Sequence, residues 1–188
     1  MTEHKQTTIN ELCDLMKKRG VSNQRLLHDI AHAMSKYQEI HSITGQCVYN
    51  SLYLCRIAKC LNFPARIKAV IVVELDDGEC LKVVSGHYVV DTCDTHLDAS
   101  HDINRNENAS YYDNFGEFNR RHTSDDKPAL RKVLQDFLIW SNDAVFLNEN
   151  HINIEDDWNI DYYKEQHDFV VKVMNGRVCF PNELGCNN

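Results

Sequence analysis

The sequence contains no apolar stretch long enough to cross a membrane. A transmembrane helix needs about 20 consecutive, mainly apolar residues, and every apolar run in this chain is much shorter. The segment Met1–Asn10 is polar and includes Glu3, so we expect no secretory signal peptide. Together these two absences predict a cytoplasmic protein with no membrane partner.

Positive charge is also scarce. The chain carries 20 lysines and arginines against 28 aspartates and glutamates, which gives a net charge of −8. A protein that binds duplex nucleic acid needs a basic face to replace counterions, and docking on an anionic membrane surface needs the same. The charge balance therefore predicts that neither nucleic acid nor a membrane surface is a partner.

The cysteine patterns of common zinc sites are missing. No C-x-x-C pair occurs, and Cys93-x-x-His96 has no matching second pair. The chain has eight cysteines, but a core-forming chain of this length without a signal peptide needs no disulfides. We therefore expect no metal and reduced cysteines. No disulfide is expected among Cys13, Cys55, Cys60 and Cys80.

Length and hydrophobic pattern predict the architecture. A chain of 188 residues with 43% hydrophobic residues is typical of one globular domain. The pattern is helical first, then β, then helical again, which predicts an α+β fold. We place N-terminal helices at 8–40, a core at about 45–100 and a C-terminal helical region at 128–175.

Apolar residues at helical spacing predict several helices. The first covers Ile9–Lys18, and Ser22 caps the second. A third, buried helix covers Gln46–Leu61. Pro128 starts another helix, and 158–174 fits either a helix or a strand. In the helix after Pro128 the residues expected to face inward are Leu130, Val133, Leu134, Phe137 and Leu138.

The middle of the chain changes to a β pattern. The segments form an antiparallel sheet of three or four strands that packs on the third helix, with a bend or bulge at Gly86. The segment 100–128 is polar and is predicted as a long loop. The predicted strands are Ala65–Leu75, Glu79–Val84, His87–Asp91 and Thr95–Ala99.

Cys47 is the first candidate for chemistry. It follows a predicted loop that ends at Gly45, and it opens the third helix. A thiol at this position lies at the positive end of the helix dipole, which favours the reactive thiolate. Backbone N–H groups at the same helix start could stabilise an oxyanion. Gln46 could also donate to the oxyanion, or it could cap the helix.

His87 and Asp98 lie on the following hairpin. If the turn is centred between Thr92 and Cys93, residues 87 and 98 lie directly opposite each other, with Cβ atoms about 4.5–5.5 Å apart. A carboxylate at that distance would orient an imidazole, which needs only a nucleophile on its other nitrogen. The sequence therefore predicts a catalytic triad of Cys47, His87 and Asp98.

Four short motifs resemble the transglutaminase-like superfamily of papain-type folds. They are Gly45-Gln46-Cys47, Asn62-Phe63-Pro64-Ala65-Arg66, Gly86-His87-Tyr88-Val89-Val90 and Leu97-Asp98-Ala99-Ser100. The resemblance covers 45–100 and extends to the cores of arylamine N-acetyltransferases and peptide N-glycanases. The hairpin is also similar to one in uncharacterised proteins of large DNA viruses. The chain departs from the family pattern at Asn62, where glycine is usual, and at Ala99, where proline is usual.

The resemblance implies a transglutaminase-like, papain-like core in which a central helix packs on a small antiparallel sheet, with extra flanking helices. It implies acyl transfer or amide-bond hydrolysis through a thioester on Cys47, without a cofactor, on a peptide, protein or small amide. One alternative is a catalytically inactive binding module that uses the polar loop. Another is a metal-bound protein with scattered cysteine and histidine ligands. The pattern leaves the oligomeric state open.

Other polar residues of the hairpin are weaker candidates. Asp91 lies about 13 Å along the strand from His87 at 3.3 Å per residue, which is too far to orient it. Asp94 is expected in a solvated turn, and His96 on an exposed strand face. His28 and His32, an i, i+4 pair, are interpreted as a solvated helix face rather than metal ligands.

Overall fold

The structure is a computed structural model of the chain. It describes residues 7–76, 79–93, 95–104, 109–122, 127–150 and 161–176. The described residues form a mixed α+β fold, as the hydrophobic pattern predicted.

Three helices lead into the sheet: α1 (Ile9–Lys17), α2 (Asn23–His41) and α3 (Cys47–Cys60). Their starts follow from local chemistry. Thr8 forms a capping box with the first turn of α1, and the Ser22 side chain accepts a hydrogen bond from a backbone N–H in the first turn of α2. All three predicted helices are confirmed, with boundaries that differ by one or two residues.

The sheet has four antiparallel strands in the spatial order β3-β2-β1-β4. β2 runs without interruption through the two segments that were predicted as separate strands. β3 is shorter than predicted, because Thr92 closes the turn by bonding the carbonyl of Thr95 through both its backbone N–H and its hydroxyl. The strands are β1 (Ala65–Asp76), β2 (Glu79–Thr92), β3 (His96–Leu97) and β4 (Ala109–Tyr112).

The prediction of a long loop over 100–128 was wrong. This segment contains α4 (His101–Asn104), β4 and α5 (Phe115–Arg121). Aromatic side chains hold it in place: Tyr112 and Phe118 are buried and make an edge-to-face contact with ring centroids 5.9 Å apart. The polar composition hid this anchoring, because a few buried aromatic residues suffice to order a short segment.

Two helices follow, α6 (Lys127–Glu149) and α7 (Asp161–Met174). The ambiguous C-terminal stretch is therefore helical where it is described, while Trp158 lies outside the described residues. Phe137 faces inward as predicted, but Leu138 is 53% exposed, so its predicted inward orientation was wrong.

The two faces of the sheet bury different partners. The main core includes Ile71 and Val90 and residues from α1, α2, α3, α6 and α7, whereas Val70, Val72 and Val89 pack with Ile103 on the opposite face. Within the described residues, no helix is long and apolar enough to cross a membrane.

Gly86 permits close packing on the main-core face. A Cβ atom at this position would lie 1.5 Å from the ring of Trp140, so only glycine fits beneath the indole. The glycine is thus explained by a close approach of α6 to β2. The pairing register with β1 also shifts next to it, between Val72 and Val73, which agrees with the predicted bend or bulge.

Candidate active site

Cys47 is the first residue of α3 and is partly buried. The chain reaches it through Gly45, which has a φ of +73°, a backbone conformation that favours glycine. The first N–H groups of any helix have no acceptor within the helix. Cys47 therefore lies beside unpaired helix-start donors and at the positive end of the helix dipole.

His87 lies within β2 and is 3% exposed. Its Nε2 atom lies 2.8 Å from Oδ2 of Asp98, and Cys47 lies close enough to the ring to raise its pKa. Because Asp98 occupies Nε2, Nδ1 is the ring nitrogen that remains for the thiol. His87 and Asp98 are therefore in direct contact, and Cys47 is their neighbour.

The electrostatics of this arrangement favour a protonated imidazole. Burial of His87 lowers its pKa, but the hydrogen bonds with Asp98 and Cys47 and their negative charges outweigh burial. Together these effects raise the pKa of His87 to about 10. At neutral pH the ring is then an imidazolium, which can donate to a carboxylate on one side and to a thiolate on the other.

Asp98 is held by more than the imidazole. Its Oδ1 atom accepts a hydrogen bond from the backbone N–H of Ser100 at 2.9 Å, and its Oδ2 atom accepts one from the Tyr111 hydroxyl at 3.2 Å. These bonds fix the orientation of the carboxylate, and the carboxylate in turn fixes the imidazole.

The register differs from the prediction that placed residues 87 and 98 directly opposite each other. Asp91 pairs with His96, so the same ladder would place residue 98 opposite residue 89. His87 and Asp98 are therefore diagonal neighbours. The predicted register was wrong by two residues, an even number that keeps both side chains on one face.

Gln46 occupies the N-cap position of α3, but its side chain makes no capping hydrogen bond. Its amide nitrogen lies 3.5 Å from the carbonyl oxygen of Thr44, at the limit of hydrogen-bond distance. The capping interpretation is therefore wrong, while the oxyanion role stays a prediction.

Comparisons with protein-family models, with curated proteins and with solved structures find no match.

A buried polar network behind the site was missed by sequence reasoning. Gln38 of α2 donates to the side chains of Asn50 and Gln166, each at 3.2 Å. Asn50 in turn lies 3.5 Å from the Ser100 hydroxyl. The network ties α3 to the segment that carries Asp98. The sequence signal that could have indicated this network is Asn50, a polar residue on the inner face of the otherwise apolar helix α3.

Tyr111 lies in the segment that was predicted as a long loop. Its position on β4, opposite Val72, places its hydroxyl against Asp98. The pairing of β4 with β1 is a non-local contact, so no sequence pattern around Tyr111 could have indicated this role.

The weaker candidates lie apart from the triad. Asp91 forms ion pairs with Arg66 at 3.0 Å and with His96 at 3.1 Å. Asp94 lies outside the described residues. No group of three or more histidine, cysteine or acidic side chains in the described part of the chain could hold a metal ion.

The other described thiols have different environments. Burial raises the pKa of Cys55 to about 12, and burial together with the neighbouring Cys60 raises that of Cys13 to about 12. Cys13, Cys55 and Cys60 are free, as expected, whereas the side chain of Cys80 lies outside the described residues. Thiols with so high a pKa are protonated and unreactive at neutral pH.

A cavity of about 420 Å³ opens beside Asp98, which is part of its lining. His28, His32 and His96 also line it, together with Ala31 of α2 and Leu97 of the hairpin. The predicted solvated helix face of His28 and His32 is thus one wall of a cavity that reaches Asp98.

Proposed function

We propose that the chain is a cysteine-dependent enzyme that transfers an acyl group or hydrolyses an amide through a thioester on Cys47. The observation that carries this proposal is the buried His87 imidazole, which lies 2.8 Å from Asp98 and close enough to Cys47 for the thiol to raise its pKa. A transglutaminase-like, papain-like fold would be consistent with this order of residues, and the family assignment is part of the proposal.

In the first half of the reaction, the Cys47 thiolate attacks the acyl carbon of the substrate and forms an S–C bond. The carbonyl electron pair moves to oxygen, and the N–H groups at the start of α3 can stabilise that charge. The C–N bond then breaks, and the leaving amine takes its proton from the His87 imidazolium. A thioester and a neutral imidazole remain.

In the second half, water or an amine attacks the thioester. His87 takes the proton from this nucleophile, and the C–S bond breaks to restore the thiolate and the imidazolium. The role of Asp98 is to keep the ring oriented and to stabilise its charged form. Hydrolysis and transamidation differ only in the second nucleophile, so the residues of the site serve both.

The proposal is tested by the pH dependence of Cys47 alkylation. A thiol paired with an imidazolium reacts with iodoacetamide at about pH 6, where a free thiol of pKa about 8.5 reacts slowly. Peptide mapping by mass spectrometry assigns the label, and Cys47→Ser supplies the unlabelled control. A second assay measures acetylation of Cys47 by an activated acetyl ester and its release by water or an added amine.

Cys55 is the matched control because it lies on the same helix and is partly buried. We expect Cys55→Ser to leave both assays unchanged. If Cys47 titrates as a free thiol and is not acylated, the proposal fails, and a binding module that retains the fold becomes the better interpretation.

A further inference from the structure

Helix α6 carries an apolar stripe on the side that faces away from the core. Four large side chains form it, and all are more than half exposed. Their spacing of i, i+1, i+7 and i+8 places them on one face of the helix. We call them the outer stripe: Leu138 (53% exposed), Ile139 (56%), Val145 (53%) and Phe146 (58%).

The outer stripe is not needed to attach α6 to the rest of the protein. The opposite face of the helix already packs into the main core through Phe137, Trp140 and Ala144. Within the part of the chain that the structure describes, the other apolar face of α6 is left exposed. Contiguous exposed apolar surface of this kind marks an interaction site.

The outer stripe has internal symmetry about Asn142, which is itself exposed. Leu138 and Phe146 lie four residues before and after it, and Ile139 and Val145 lie three residues before and after it. A twofold axis through Asn142 would therefore place apolar residues opposite apolar residues along two antiparallel helices. A twofold interface is self-complementary in this way.

The charges on the exposed face of α6 also favour antiparallel pairing. Arg131 and Lys132 lie in its N-terminal half, and Glu149 ends its C-terminal half. Antiparallel pairing would bring the basic end of one helix to the acidic end of the other, and it also opposes the two helix dipoles favourably. Parallel pairing would instead bring like charges together.

We propose that the outer stripe binds a second copy of this chain, through an antiparallel α6–α6 contact centred on Asn142. This inference is independent of the proposed thiol chemistry. One helix from each subunit gives a contact in the small class, below about 1,200 Å² in total. The dimer is therefore expected to be reversible and dependent on concentration.

The first test is the mass of the purified full chain by sedimentation across a wide range of protein concentration. We expect a monomer–dimer equilibrium that Leu138→Lys and Phe146→Lys each shift to monomer. Ile40→Lys is the matched control, because Ile40 is a 62% exposed apolar residue on α2. Circular dichroism checks that each variant folds. A wild-type chain that stays monomeric at every concentration overturns the proposal.

The second test is a charge exchange. In the antiparallel arrangement Glu149 lies opposite residue 135 of the other copy, one helical turn from Lys132. Glu149→Lys and Lys132→Glu should each weaken the dimer, and the double variant should restore it. Dimerisation that the single variants leave unchanged, or that the double variant fails to restore, contradicts this arrangement.

The third test fixes the orientation by cross-linking, with Cys93→Ser as the background because Cys93 is exposed. Asn142→Cys lies on the twofold axis and should form an intermolecular disulfide. Gln135→Cys should not, since its two copies would be separated along the helices by about 21 Å at 1.5 Å per residue. Equal cross-linking at both positions would indicate parallel helices and overturn the proposal.

Discussion

The β2–β3 hairpin carries two pairs of an imidazole and a carboxylate. His87 and Asp98 are 2.8 Å apart, and His96 and Asp91 are 3.1 Å apart. The side chains of the first pair are 4% and 10% exposed, whereas those of the second are 38% and 16% exposed. Distance alone therefore does not distinguish a candidate catalytic pair from a surface ion pair.

The surroundings of the two carboxylates make the difference. Asp91 is shared among His96, Arg66 and Lys68, so its charge is not directed at one imidazole. Asp98 accepts hydrogen bonds from Ser100 and Tyr111 and forms an ion pair with His87. The low dielectric of this buried position strengthens the interaction between Asp98 and His87. The first pair also has the Cys47 thiol beside it.

The two pairs are expected to differ most in their effect on the rate of acyl transfer. We expect Cys47→Ser and His87→Ala each to reduce acyl transfer to the background rate. When catalytic residues act as a unit, removing one of them costs nearly the whole rate enhancement. His96→Ala should leave the rate unchanged. The measurement is the initial rate of acyl transfer from an activated ester. Equal losses in the two histidine variants would show that neither pair is special.

The carboxylates provide the next contrast. Asp98→Asn should lower kcat by on the order of 10²–10⁴, because an amide fills the site but does not stabilise the imidazolium or fix its tautomer. Asp91→Asn should not lower kcat. Intact folding is checked by thermal unfolding. A larger effect at Asp91 than at Asp98 would reverse the assignment.

The pH dependence of the free energy of unfolding distinguishes His87 from His96 without any substrate. His87 has a folded pKa of about 10 against an ordinary value of 6.5, so its proton stabilises the fold fully below pH 6.5. That stabilisation is lost as pH rises through about 10. One pKa unit is worth about 1.4 kcal/mol, so we expect the free energy of unfolding to fall by a few kcal/mol across this window.

Denaturant titrations from pH 6 to 10 measure this loss, and His87→Gln should remove it. His96→Gln should leave it in place. Cys13 and Cys55, whose raised pKa values also reduce stability at alkaline pH, are common to all three proteins and cancel in the comparison. A curve unchanged by His87→Gln would mean that His87 binds no extra proton in the folded state.

The smallest effect is expected at Tyr111. Tyr111→Phe removes one hydrogen bond to Asp98, and a hydrogen bond contributes about 0.5–1.5 kcal/mol, so kcat should fall no more than about tenfold. Tyr112→Phe is the matched control, because that hydroxyl lies 2.8 Å from His122 and points to the opposite face. Equal effects from the two variants would remove Tyr111 from the site.

Much of the fold could be predicted from local pattern. Thr8 and Ser22 cap helices through bonds to residues three positions away, and the apolar spacing of α2 and α3 is readable in any window. The segment after residue 100 was mispredicted because β4 forms only by pairing with β1, about 40 residues earlier in the chain. Leu138 was mispredicted because α6 is apolar on two faces, and periodicity alone does not say which face meets the core.

Local sequence is enough to place Cys47 at the start of a helix and to put His87 and Asp98 on one face of a hairpin. Both follow from short-range chemistry: Gly45 allows the turn before the helix, and alternation along strands fixes which side chains share a face. Tertiary packing decides that α3 brings the thiol near His87, that Tyr111 reaches Asp98, and that Arg66 pairs with Asp91. These contacts join segments far apart in the chain, so their energies depend on packing that no local pattern encodes.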